Sequence, residues 1–177
     1  AGATDSSSSD GRATAGSEDA SLGVRAARIN HGSIAARDLD ESTRCDEAVL
    51  AMERIPTATS ESPVQWRRVG DMQLHLCLFD GDAPARHHLG ITIDDFDAAY
   101  DAVKTHVSDT WGWQLVELPS RQVQLYFRDP ADNLIELNWP DADLLDRSRY
   151  PELRKIAEYI PQGPNPEEAV LYLYAGE

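Results

Sequence analysis

Two stretches of this 177-residue chain repeat one pattern, His31-Gly-Ser-Ile-Ala-Ala-Arg-Asp-Leu-Asp40 and His88-Leu-Gly-Ile-Thr-Ile-Asp-Asp-Phe-Asp97. Both copies have His first, Ile three residues later, and Asp seven and nine residues after the His. A short apolar run that ends in acidic residues is typical of a strand that leads into a helix start. A shorter echo follows each copy, as Leu74-His75-Leu76 and Ile135-Glu136-Leu137. The chain therefore looks like two βαβββ units with metal-ligand residue types in their first and last strands.

The spacing of apolar residues predicts the elements of both units. For the first unit we expect a strand over 29–36, a helix over 38–52 with Asp40 or Ser42 as N-cap, a polar loop over 56–63, and strands over 64–69 and 72–79. For the second unit we expect a strand over 89–93, a helix that begins near Phe96, and strands over 113–118, 122–128 and 134–139. Together the units predict one domain over 28–140, with modules at about 28–80 and 87–140.

The segments on either side of this domain differ from it in composition. Residues 1–27 are rich in Ser, Gly, Ala, Asp and Glu, which predicts a disordered acidic tail. Residues 141–177 predict a C-terminal extension with a helix from Pro151 to Pro161, because Leu153, Ile156, Ala157 and Ile160 share one helical face. Ala169–Tyr174 is interpreted either as a terminal strand or as an arm onto a partner subunit.

Composition excludes several classes of partner. The net charge of −15 comes from 31 acidic and 16 basic residues, and this charge repels nucleic acid and anionic membranes. The only lysines are Lys104 and Lys155; acid-rich, lysine-poor surfaces are typical of halophilic proteins from a high-salt cytoplasm. No apolar stretch is long enough for a membrane span. Two cysteines, Cys45 and Cys77, are too few for a disulfide framework and favour a reducing, cytoplasmic compartment.

Strand alternation separates two faces in each unit. His31, His75, His88 and Glu136 each fall on the more polar face of their strand, whereas the opposite positions are apolar. The fold class predicted is therefore α+β, with two βαβββ modules that form a curled mixed sheet around a metal-binding cavity and carry helices on the outer face. His87 has the opposite parity to His88, and both His87 and His106 are interpreted as structural residues.

Two or three neutral imidazoles and one carboxylate suit one divalent first-row metal ion, such as Fe, Mn, Ni, Co or Zn. Such an ion can polarise a carbonyl, stabilise an enediolate or hold two adjacent substrate oxygens. His31, His88 and Glu136 are the stronger candidate ligands, because they lie in the repeated units. His75 is either a fourth ligand or a structural histidine.

These residues resemble the vicinal oxygen chelate superfamily, which includes glyoxalases, methylmalonyl-CoA epimerase, fosfomycin-resistance transferases, extradiol dioxygenases and bleomycin-binding proteins. The resemblance covers about residues 28–140 and rests on Ile29-Asn-His31 with Asp38-Leu-Asp40, on His88 with Asp94-Asp-Phe-Asp97, and on Asp129-Pro-Ala-Asp-Asn-Leu-Ile-Glu136-Leu. It implies paired modules around a metal held by His31, His88 and Glu136, with His75 at a position that holds Glu or Gln in glyoxalases and epimerases. The chain departs from the family pattern at three places, Cys45-Asp46 for an aromatic pair, Ala51 for Gly and Asp132 for Gly.

The resemblance implies three alternative functions. The first is a divalent-metal-dependent lyase or isomerase of glyoxalase or epimerase type, with Glu136, His75 and Tyr126 as candidate catalytic residues. The second is an extradiol-type Fe(II) dioxygenase with His31 or His75, His88 and Glu136 as facial triad; the histidine that this class places before Leu125 is absent. The third is a non-catalytic, bleomycin-resistance-like binding protein that stacks a ligand on Trp66, Trp111, Trp113 and Tyr126. In each case we expect a small-molecule partner and a homodimer.

Overall fold

The computed structural model describes residues 29–57, 63–83, 87–107, 114–171 and 173. The predicted tail over 1–27, Trp111 and Trp113 lie outside the described residues. The described strands and helices are β1 (His31–Ala36), α1 (Leu39–Leu50), β2 (Arg54–Ile55), β3 (Val64–Val69), β4 (Met72–Leu78), β5 (His88–Thr92), α2 (Phe96–His106), β6 (Gln114–Glu117), β7 (Val123–Arg128), β8 (Leu134–Trp139) and β9 (Arg154–Lys155). Within these segments, every helix is too short or too polar to cross a lipid bilayer.

The repeated aspartates explain where the two α-helices begin. Asp38 caps α1 by accepting a hydrogen bond from the Glu41 amide at 2.8 Å, and Asp95 caps α2 by accepting one from the Ala98 amide at 2.9 Å. Both caps come seven residues after the histidine of the repeat, so the pattern is a strand followed at once by a capped helix. The prediction of Asp40 or Ser42 as N-cap is wrong by two or four residues, because the acidic first turn obscured the cap.

The strands form two mixed sheets that are not closed, in place of one curled sheet. The first has the order β1-β4-β3-β2 and the second β5-β8-β7-β6-β9. In each sheet the first and last strands of the module pair in parallel, β1 with β4 and β5 with β8, whereas the intervening strands pair antiparallel. β2, which the sequence pattern did not locate, completes the first βαβββ unit. The fold is α+β, as predicted.

The predicted division into a polar and an apolar face is confirmed in both sheets. Apolar side chains on the helix side form the core, with Leu74, Leu76, Leu125, Ile135 and Leu137 all buried. The polar face of the first sheet carries His31, Trp66 and His75, because Trp66 and His75 are cross-strand partners. The polar face of the second carries Tyr126 and Glu136, which are also cross-strand partners, together with His88.

Two contacts join the modules beside β1. A Cβ at Gly32 would lie 3.7 Å from the Leu89 side chain, so β1 and β5 pass close to one another on the helix side. The Asn133 side-chain amide donates to the Ala35 carbonyl oxygen at 2.7 Å and to the Asp129 carboxylate at 2.7 Å. The turn between β7 and β8 is thereby anchored to the first module.

Cys45 and Asp46 replace the aromatic pair of the superfamily pattern, and the Asp46 carboxyl group lies buried near Arg67. The Arg67 guanidinium is fully buried and donates to the Met52 carbonyl oxygen at 2.8 Å and to Glu47 at 3.0 Å. Burial raises the pKa of the nearby Asp46 carboxyl to about 7, although Arg67 opposes this shift. Burial also raises the pKa of the Cys45 thiol to about 12, so this thiol stays protonated and is a poor nucleophile.

The C-terminal extension differs from its prediction. Residues 151–160 contain the short strand β9 and one 3₁₀ turn, not a continuous α-helix. The described part of the extension has four 3₁₀ helices, Ala142–Leu144, Arg147–Arg149, Ile156–Glu158 and Pro166–Glu168. No strand is assigned to the described residues 169–171 and 173. The helix predicted from the periodicity is wrong because Arg154–Lys155 pairs in parallel with β6 and extends the second sheet.

Ala51 and Asp132 adopt a left-handed backbone, with φ of 49° and 70°. These are the two positions where the superfamily that the sequence resembles has Gly. Since a Cβ is disfavoured at such a φ, we expect Ala51→Gly to raise the free energy of unfolding by about 1 kcal/mol. Gly70 is the matched control, because it has φ 56° and open space around its Cβ position. Gly70→Ala should lower the stability by about the same amount. Urea unfolding of both variants measures this; a loss of stability in Ala51→Gly would contradict it.

Candidate metal site

His88 and Glu136 face each other on the polar face of the second sheet. Parallel pairing sets Gly90 opposite Glu136, so His88 lies diagonally across from the carboxylate. The His88 Nε2 atom is 3.4 Å from Glu136 Oε2, and Glu136 is buried whereas His88 is half-exposed. Two ligand atoms bound to one tetrahedral ion at about 2.1 Å would be about 3.4 Å apart. The pair therefore fits two coordination positions of one divalent metal ion.

Tyr126 adds a phenol to this pair. Its ring lies edge-on to the His88 ring, with 6.4 Å between the ring centroids. Burial and the neighbouring Glu136 carboxylate both raise the pKa of the phenol, so Tyr126 stays protonated at neutral pH. Its hydroxyl group donates to Gln124 Oε1 at 2.9 Å, and the Gln124 amide donates to Asn138 Oδ1 at 3.2 Å. These two hydrogen bonds, through the Gln124 and Asn138 side-chain amides, hold the phenol beside Glu136.

His31 and His75 meet on the polar face of the first sheet. Their rings stack with centroids 4.3 Å apart and planes 12° apart, and the Trp66 ring stacks on the other side of His75 at 4.5 Å. The His75 Nε2 atom is 3.0 Å from Gln73 Oε1. Imidazole lone pairs lie in the ring plane, so those of two stacked rings run nearly parallel and do not converge on one ion. His75 thus fits the centre of an aromatic stack better than a shared metal position.

The structure therefore brings the five candidate residues together in two groups. His31 is with His75 in the first sheet; His88 is with Glu136 and Tyr126 in the second. Among the described residues, no set of three or more His, Cys, Asp or Glu side chains is placed to hold a metal ion. Convergence of all four candidate ligands in one cavity of one chain is not found. The donor types fit a divalent ion, but of the four candidate ligands one chain brings two, His88 and Glu136, to a common coordination site.

A cavity of about 820 Å³ lies elsewhere, between α1 and the end of α2. Its lining includes Arg44, Cys45, His106 and Arg128, and none of the five candidate residues contributes to it. The protonated Cys45 thiol gives this cavity no obvious chemistry. The polar faces of the sheets remain the candidate functional surfaces.

Two mixed βαβββ sheets with His and Glu on their polar faces define a vicinal oxygen chelate fold, and the comparisons with solved structures confirm that fold. The chain is similar to the fosfomycin resistance protein FosX from Listeria monocytogenes, with a TM-score of 0.55, 15% identity, and coverage of 70% of this chain and 100% of FosX. It is also similar to lactoylglutathione lyase from Agrobacterium tumefaciens, with a TM-score of 0.51, 18% identity, and coverage of 68% and 98%.

A FosX variant complexed with Mn(II) and 1S,2S-dihydroxypropylphosphonic acid has a TM-score of 0.55, with 14% identity over 68% of this chain and 96% of that one. At such identities the likeness establishes the fold alone. No family model and no curated protein matches the sequence.

Sequence reasoning missed the roles of Asn138 and of Gly90, which lies opposite Glu136. Asn138 accepts from Gln124, and a Cβ at Gly90 would lie 3.6 Å from Glu136 Oε1 and 3.5 Å from Asn138 Nδ2. Both residues have the parity of His88 or Glu136, so alternation could have found them. Their contacts depend on the pairing of β5, β7 and β8, which no local pattern specifies.

Burial, and secondarily the charge of His31, lower the pKa of His75 below its usual 6.5. We therefore expect His75 to titrate below 6.5 in an NMR titration of the imidazole Cε1–H signals, and above its native value in His31→Gln. Because the folded pKa is depressed, neutral His75 supports the fold above the unfolded pKa, and this support is lost as pH falls through the folded pKa. His106→Gln, at an exposed helix end, is the control and leaves the His75 titration unchanged. A His75 pKa at or above 6.5 would refute the assignment.

Proposed function

We propose that this protein is a divalent-metal-dependent enzyme of glyoxalase or epimerase type, which acts on a small substrate held through adjacent oxygens. The observation that carries the proposal is the His88–Glu136 pair, 3.4 Å apart, beside a protonated Tyr126 phenol. The FosX complex with Mn(II) and a compound with two adjacent hydroxyl groups supports a metal and a chelating substrate. Because that complex contains Mn(II), this is the first ion to test.

The third ligand in this proposal is His31 from a second copy of the chain. Among the described residues of a single chain, His31 does not form a metal-binding cluster with His88 and Glu136. His31 is exposed and its Nδ1 atom bonds to Asn30 Oδ1, so its Nε2 atom is the one available to an outside ion. A two-fold symmetric homodimer would create two equivalent sites, because each contact between the copies occurs twice.

The metal ion, when bound, would act as a Lewis acid on the chelated substrate oxygens. On substrate binding, the Tyr126 hydroxyl turns its single proton from Gln124 Oε1 to the substrate oxygen that gains negative charge. Gln124 and Asn138 fix the position of this phenol. Glu136 takes the proton from the carbon next to the chelated oxygens, and the absence of a side chain at Gly90 leaves room beside its Oε1 atom.

A metal-free binding protein is the second candidate function. The Trp66–His75–His31 stack favours it, because a ladder of parallel rings offers its outer face to a flat aromatic ligand. The two candidates differ in their need for a metal, so metal binding is measured first.

We expect the protein to bind one Mn(II) per chain, measured by the loss of the free Mn(II) EPR signal in high-salt buffer. His31→Ala, His88→Ala and Glu136→Gln each remove one ligand and should weaken binding by more than about 100-fold. His75→Ala should bind close to the parent, as should the control His106→Ala. Strong binding by the His88→Ala variant would contradict the proposed ligand set.

A mixture of variants tests whether the site is shared. His31→Ala and Glu136→Gln are unfolded together and refolded, so that mixed dimers form. One of the two sites in each mixed dimer then has all its ligands, and the mixture should recover about a quarter of the parent's Mn(II) capacity. Ligands that come from one chain would give no recovery. No Mn(II) binding by the parent would favour the binding protein.

A further inference from the structure

The C-terminal extension begins on the helix side of the second sheet. The Tyr150 ring packs edge-on against Phe96 and Tyr100 of α2, at centroid distances of 5.2 and 4.8 Å, and its hydroxyl group donates to Asp97. Arg147 pairs with the buried Glu117 on this same side. These contacts fix residues 147–150 against α2 and β6.

The chain then passes around the outer edge of the second sheet. Arg154–Lys155 pairs in parallel with Val116 and Glu117 and so becomes the edge strand β9. Beyond β9 the chain returns to the sheet at Leu171. The Gln122 amide donates to the Leu171 carbonyl oxygen at 3.0 Å, and its Oε1 atom accepts from the Leu171 amide at 2.9 Å.

Gln122 belongs to the side of the sheet that carries Tyr126 and Glu136. It precedes β7 and shares the parity of Gln124 and Tyr126. Strand geometry places a residue four positions before Tyr126 about 13 Å away. The extension thus starts on the helix side, crosses the sheet edge and reaches the polar face at Leu171, about 13 Å from the candidate site.

We propose that residues 165–171 form an end wall on the polar face of the second sheet, and that this wall limits how far a ligand bound at His88 and Glu136 can extend along β7. The substrate class that this allows is a compact chelating compound with no long substituent directed toward Gln122. The limit on substrate length rests on the proposed function, whereas the wall itself does not.

Gln122 acts as a positioning residue for this wall. Its side-chain Nε2 atom donates to the Leu171 carbonyl oxygen, and its Oε1 atom accepts from the Leu171 amide. The Ser120 hydroxyl also donates to this Oε1 atom, at 3.1 Å. Gln122 is only 4% exposed. A side chain held in this way is not free to bind a ligand, so its contribution is to hold the segment in place.

A cysteine placed just inside the wall tests it without any metal. Val116 is half-buried, pairs with Gln124 across β6 and β7, and so lies on the polar face. Val116→Cys is treated with small methyl methanethiosulfonate and with bulky fluorescein-5-maleimide, and labelling at this position is followed by peptide mass spectrometry. Adding Gln122→Met removes both hydrogen bonds to Leu171 and should speed the bulky reagent about tenfold or more, with no change for the small one.

Two further variants serve as controls for this test. Gln162→Met is the matched control, because Gln162 lies in the extension and, among the described residues, its side chain bonds only to the Ile160 carbonyl oxygen; this variant should label like the parent. A chain that ends at Gly163 removes the wall altogether and should label at least as fast as Gln122→Met. Equal rates for the bulky reagent in all chains would overturn the wall.

Ligand length is tested on the Mn(II)-loaded protein with catechol and 4-hexylcatechol. The parent should prefer catechol, and Gln122→Met should bind 4-hexylcatechol about tenfold more tightly while its affinity for catechol is unchanged. An unchanged preference would overturn the limit on ligand length. If no chain binds Mn(II), the proposed function and the length limit both fail, and the alkylation rates still decide whether the wall exists.

Discussion

Parallel pairing between the first and last strands of each module is the constraint on which the rest of the structure depends. β1 beside β4 and β5 beside β8 cannot be joined by a tight turn, because parallel strands need a crossover connection. Each module uses a capped helix as the start of that crossover, beginning at Asp38 or Asp95. The pairing buries one face of each sheet under these helices and leaves the other face for polar side chains.

The same pairing places a first-strand histidine diagonally across from a last-strand residue in both modules, His31 with His75 and His88 with Glu136. His75 lies opposite Ser33, and Glu136 lies opposite Gly90, so each last-strand residue faces the position two residues after a first-strand histidine. The second module turns this geometry into a carboxylate–imidazole pair supported by Tyr126. The first turns it into a ring stack with Trp66. One backbone plan thus supplies metal-ligand geometry in one place and an aromatic surface in the other.

Most of the fold was predictable because it rests on local patterns. The bounds of β3 and β8 agree with their predictions, and alternation assigned the correct face to His31, His75, His88 and Glu136. The helix predicted over 151–161 was wrong for a tertiary reason. The exposed edge of β6 takes up Arg154–Lys155 as a partner strand, and that pairing overrides the helical spacing of Leu153 and Ile156.

The sequence by itself determined the two modules, their helix starts and the residue types on each polar face, since these follow from periodicity and capping within a few residues. Only the tertiary structure decided which of those residues meet. It stacked His75 between His31 and Trp66, set Glu136 beside His88, and returned Leu171 to Gln122. Such contacts join residues far apart in the chain, and their geometry is set by strand register and by packing between elements, which no local pattern encodes.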